Sequence, residues 1–173
     1  MKSLVALAAL ILALCSANAA ELNLAQIKTA VDLAQYEPDT IIVSTRERRL
    51  FYKTQEGEVV AYKVAVGREG FLWSGEAKVA RMTEWPDWTA TPDMLRREPK
   101  LPRFIAGGWG NPLGARALYL FEGKRDTLYR IHGTASSKSI GQAVTSGCIR
   151  LLNEDVRRLY TMVRVGTKVV VLK

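Results

Sequence analysis

Two side chains in this sequence are scarce enough to point to a chemistry. The chain has a single histidine, His132, and one of its two cysteines, Cys148, lies 16 positions beyond it. They stand in Ile131-His132-Gly133-Thr134 and in Thr145-Ser146-Gly147-Cys148-Ile149-Arg150. A thiol becomes a nucleophile when a neighbouring base takes its proton, and imidazole is the side chain whose unperturbed pKa suits that task near neutral pH. In thiol chemistry Cys148 is then the nucleophile and His132 the base. Gly147 has no Cβ and lets backbone approach a ligand closely, so the Gly147 and Cys148 amides are candidates to meet a developing oxyanion. Arg150 is a candidate to hold a substrate carboxylate or favour the thiolate, with a structural ion pair as its alternative role. One histidine and one cysteine fall short of a four-ligand metal site, and no C-x-x-C, H-E-x-x-H, phosphate loop or dinucleotide fingerprint occurs. Neither metal nor cofactor is expected.

The status of Cys148 depends on the N-terminus. Lys2 precedes an apolar run from Leu4 to Leu14, too short for a bilayer span of about 20 residues, and Ala17-Asn18-Ala19 has the small-x-small form of a signal-peptidase site. Residues 1–19 are thus read as a secretion signal. Cleavage after Ala19 removes Cys15 and leaves one thiol. The alternative is lipidation of Cys15, against which stands Leu14 where lipoprotein signals place a small residue. Thiols outside the cytoplasm are normally paired, so an unpaired Cys148 is either reactive or buried and inert.

About 154 residues remain after cleavage, enough for one domain with a full core. At 48% hydrophobic and 24% charged the chain is globular rather than disordered. The formal charge of +8 would suit nucleic acid, but export argues against it. The alternatives left are an anionic wall polymer or membrane surface as partner, and a solvated basic face with none.

The elements that must position the pair read mostly as strands. Glu21 to Tyr36 has near-helical apolar spacing and is predicted as a short helix ended by Pro38, within an N-terminal segment 20–39. Thr40–Ser44, Arg49–Lys53 and Val59–Val66 are predicted strands, with a turn at Gln55–Glu58. Gly67–Gly75 is a loop, and Glu76–Thr83 a further strand. Trp85 to Asn111 is irregular: five of the six prolines lie between 86 and 112. Its length suggests a lid or functional loop, with its tryptophans as cover or as packing anchors. Ala115–Phe121 and Leu128–His132 are strands, the second delivering His132 at its end. Asn153 is a predicted N-cap for a helix with Val156, Leu159, Tyr160 and Val163 on one stripe, and Lys168–Leu172 is a final strand.

The segment Ile131–Val156, with Asn111-Pro112-Leu113-Gly114-Ala115-Arg116-Ala117-Leu118-Tyr119-Leu120, resembles the catalytic domain of bacterial L,D-transpeptidases, the YkuD-type domain, over roughly Thr40 to Leu172. Gly70-Phe71-Leu72-Trp73-Ser74-Gly75 and Trp85-Pro86-Asp87-Trp88 resemble its Gram-negative branch. The resemblance implies a mainly β fold with short helices, sandwich-like, over 40–173, with the cysteine in a groove or tunnel. It implies a cysteine-dependent acyltransferase acting on peptidoglycan stem peptides in the periplasm and inhibited by carbapenems, with roles in wall remodelling and cell shape. By position, Cys148 matches the nucleophile, His132 the base, Gly133 the residue whose carbonyl orients the imidazole, Gly147 the oxyanion step and Arg150 the motif arginine. Many members carry a histidine where this chain has Ser146, so Ser146 is read as a substrate-facing hydrogen-bonding residue. The expected reaction is a 3→3 cross-link between stems. The same acyl-enzyme also serves attachment of an outer-membrane protein to the wall, or hydrolysis of the stem. A secreted wall-binding module with an inert Cys148 is the non-enzyme alternative.

Overall fold

The structure, a computed structural model, describes residues 27–173. The secretion signal and Cys15 lie outside the described residues. Twelve strands form one large sheet and two small ribbons among those residues. β1 (Thr40–Ser44), β2 (Arg49–Lys53) and β12 (Lys168–Leu172) fall on the predicted residues. β3 is Val59–Lys63, β4 Val66–Gly67, β5 Gly75–Glu84, β8 Arg116–Glu122, β9 Arg125–His132 and β11 Ile149–Arg150. The large sheet runs β11-β9-β8-β5-β12-β1-β2-β3. β1 and β12 are parallel, as are β9 and β11; the other pairs are antiparallel.

This sheet curls until its ends meet. The chain leaving β3 bends at Val64, and Ala65 exchanges two 2.9 Å backbone bonds with Arg150 at the opposite edge. That bend divides the single strand predicted over Val59–Val66. Curling gives one interior, filled by Ile41, Val43, Leu118, Leu120, Ile131, Ile149 and their neighbours. α2 (Asn153–Met162) closes it with Val156 and Leu159. β1 is buried on both faces, which explains its unbroken Ile41-Ile42-Val43 run: Ile42 faces a second cluster with Phe51, Val59, Ile27 and Leu33.

Three further expectations need correction. Over 27–36 the predicted helix is a single 3-10 turn, Leu33–Gln35, because the segment is tied down as a strap: Glu47 accepts from Thr29 and Ala30, and Lys53 Nζ donates to the Tyr36 carbonyl at 2.6 Å. The segment 85–111 is not plain loop. It holds β6 (Trp88–Thr89) paired with β7 (Phe104–Ile105), and α1 (Pro92–Arg97), capped where Thr91 Oγ1 accepts from the Met94 amide at 3.2 Å. Asn153 is the first residue of α2, with Leu152 at the cap; its Oδ1 instead accepts from the Ala115 amide at 2.8 Å.

Candidate active site

β9 and β11 build the site. Their parallel register sets Ile131 beside Ile149 and His132 beside Arg150. Side chains alternate across a sheet, so the two isoleucines enter the core while Arg130, His132 and Arg150 project from the other face. Cys148, two residues before Arg150, comes level with Arg130. It lies directly before β11, so it and His132 come to neighbouring positions along the β9–β11 pair. Both line one cavity of about 430 Å³, together with Ser146 and Arg150. A second cavity, of about 380 Å³, also opens onto Cys148, bordered by Tyr119 and Arg130. Trp88, Met94 and Leu113 line both, so the segment 85–111 covers the thiol.

The imidazole is oriented by its neighbour. His132 Nδ1 lies 2.8 Å from the Gly133 carbonyl oxygen. A carbonyl only accepts, so Nδ1 carries the proton and Nε2 keeps a free lone pair. Gly133 has no room for a side chain, since a Cβ would overlap Asn153 Oδ1 and press on Val156. This packing holds the carbonyl, and with it the ring.

Burial sets the charge state. It pushes the His132 pKa down to about 4, with the nearby Arg150 cation adding to the effect and the carbonyls of Gly133 and Leu113 opposing it. Burial also pushes the Cys148 thiol up, against the Arg130 amide and the Arg130 and Arg150 charges that pull it down. At neutral pH the resting pair is therefore thiol and neutral imidazole. The proton moves when the sulfur attacks.

The turn carrying Cys148 is held by side chains that sequence reasoning passed over. Thr145 Oγ1 donates to the Cys148 carbonyl at 2.6 Å and accepts the Gly147 amide at 3.2 Å. The Gly147 N–H is thus engaged within the turn. Gly147 has φ +111, and a Cβ there would overlap the Tyr129 ring. Tyr129 stacks on Trp73 at 4.6 Å between centroids, and Trp73 Nε1 donates to the Gly147 carbonyl at 3.1 Å. The signal for Thr145 was a hydroxyl residue two before the glycine, the spacing of a side-chain-closed turn. Arg150 reaches Ser139 Oγ at 3.3 Å, while its Nε is buried without a partner. No described carboxylate pairs with it. Of the tryptophans in the cover, Trp88 lines the cavities, whereas Trp109 stays 78% exposed and only tilts against Trp85.

Known proteins are similar to this chain in sequence and in fold. An Escherichia coli protein, the probable L,D-transpeptidase ErfK/SrfK, is 36% identical over 146 residues, 78% of this chain and 46% of that protein. The chain thus spans about half the length of that curated relative. A solved catalytic domain of the Enterococcus faecium L,D-transpeptidase, acylated by ertapenem, superposes with a TM-score of 0.60 at 17% identity, covering 79% of this chain and 98% of that one. A Brucella melitensis structure described as a probable carnitine operon oxidoreductase is 42% identical with a TM-score of 0.52, covering 79% of this chain and 88% of that one. The model of the YkuD L,D-transpeptidase catalytic domain matches residues 38–171, a span holding all of the curled sheet but Leu172, together with His132 and Cys148. This chain belongs to the YkuD family of L,D-transpeptidase catalytic domains.

Proposed function

We propose that the chain forms 3→3 cross-links between peptidoglycan stem peptides outside the cytoplasm, through an acyl-enzyme on Cys148. The observation that carries this reading is the meeting of Cys148 and the Nδ1-anchored His132 in one covered cavity. His132 Nε2 takes the thiol proton as the sulfur attacks the carbonyl at the L-centre of the third stem residue, a diaminopimelate. The Cys148 amide, joined by the Gly147 amide once it leaves its 3.2 Å bond to Thr145, stabilises the oxyanion. The tetrahedral intermediate collapses to a thioester. The imidazolium gives its proton to the departing D-alanine amine and returns to the neutral state. The side-chain amine of a second stem then attacks the thioester, passes its proton through His132 to the leaving sulfur, and becomes the new amide.

Two cavities opening onto one thiol suit a reaction with two peptide substrates, and the cover keeps water from the thioester. No helix among the described residues is long and apolar enough to cross a membrane. The test is to incubate the protein with a stem tetrapeptide and follow products by mass spectrometry. A cross-linked dimer with loss of one D-alanine supports the reading. Tripeptide alone would replace it with hydrolysis, and no product with a stem peptide or a protein amine would favour the wall-binding alternative.

A further inference from the structure

The cavity that holds His132 carries more positive charge than its protein partners balance. Arg68, in the turn after β4, and Arg97, in the last turn of α1, both lie over the Phe71 ring, at 4.4 and 4.6 Å from its centroid. Both line this cavity, as does Arg150. Neither Arg68 nor Arg97 makes a side-chain ion pair or hydrogen bond among the described residues. Glu98, the carboxylate in the lining, pairs with neither.

This differs from the second cavity. There Arg130 is neutralised by a bidentate bond to Asp126 at 2.7 and 2.8 Å, leaving only Arg81 over Tyr119 without a carboxylate partner. A ring face tolerates a guanidinium, but two like charges on one ring repel. Both guanidiniums line the same cavity, and a planar carboxylate bound there offsets that repulsion and satisfies donors left to water.

We propose that Arg68 and Arg97, brought together on Phe71, form a carboxylate-binding subsite that reads an acid group of the peptide substrate beside the scissile bond. Arg97 belongs to the cover and Arg68 to the scaffold. A bound carboxylate therefore also ties α1 down over the thiol. The inference rests on the acyl-transfer reading above, in that it takes the ligand to be a stem peptide.

The test measures binding to the full chain carrying Cys148→Ala, so that no turnover intervenes. The probes are a diaminopimelate-containing stem tetrapeptide as free acid and the same peptide with its carboxylates converted to carboxamides. Arg68→Gln and Arg97→Gln are each expected to weaken the free acid about tenfold and leave the carboxamide within about twofold. Arg125→Gln, which removes a cation lining neither cavity, is expected to change neither. Equal losses for both peptides, no loss for the free acid, or the same loss from Arg125→Gln would overturn the subsite. Because the readout is affinity without the nucleophile, a failure to cross-link in the product assay leaves this outcome intact, and the reverse also holds.

Discussion

The strands β9 and β11 and the covering segment 85–111 face one another across the same thiol, yet they are held in different ways. β9 and β11 are anchored by Ile131 and Ile149, both essentially without exposure, and by Gly133 and Gly147 packed against their surroundings. α1 has no buried residue, and the cover is held at its base by Asn111, which donates to the Ile105 and Ala106 carbonyls and accepts from Leu113. Groups that exchange a proton need positions fixed to a fraction of an ångström. Groups that accept varied peptide flanks do not. The reacting atoms accordingly sit on core-anchored strands, and the surface that chooses the ligand includes a segment tied down mainly by polar contacts.

Substitutions on the two sides are expected to separate in size. The largest effect falls on the base. His132→Gln should slow acylation of the thiol about a thousandfold while the fold persists. The wild-type rate should hold from neutral pH downward and fall only as pH drops through about 4, where the imidazole takes up its proton. The same group makes stability pH-dependent. Folded His132 stays neutral to about pH 4, whereas the unfolded side chain charges near 6.5, so the unfolded state binds more protons between those values. Stability should decline across that window by about 3 kcal/mol from this group as pH falls, and the decline should be much smaller in His132→Gln, where only carboxylates such as Asp39 and Asp126 still contribute. Urea midpoints at pH 7 and pH 4 for both proteins check this.

Next in size is Gly147→Ala. Its methyl overlaps Tyr129 at a backbone angle that alanine rarely adopts. A loss of about 2 kcal/mol in unfolding free energy is expected, with acylation slowed as the turn shifts. Smallest is Trp109→Ala in the cover. This exposed ring should move stability by no more than about 0.5 kcal/mol. A loss comparable to that of Gly147→Ala would erase the contrast between the two regions.

The sequence marked these regions unequally. β1, β2 and β12 were legible to the residue because β-branched or aromatic runs flanked by turns leave little else to build. Cys148 and His132 stood out in the sequence because each residue type is so rare. α1 was passed over although Thr91-Pro92-Asp93 carries an N-cap, a proline at the first helical position and an early acid. The strap at 27–36 misled because helical spacing there reflects burial against β2 and β3 rather than a helix. Arg68 and Arg97 gave no signal at all. In a basic chain nothing distinguishes two exposed arginines 29 positions apart until the fold lays both on Phe71. The neutral resting pair was likewise invisible, since burial of His132 depends on elements remote in sequence.

The most direct measurement is the intact mass of the protein after exposure to ertapenem, the compound found acylating the Enterococcus relative. A single adduct mapped to Cys148 and absent from folded Cys148→Ala is the expected result. No adduct on the folded wild-type protein, or one that survives loss of the thiol, would contradict a Cys148 acyl-enzyme.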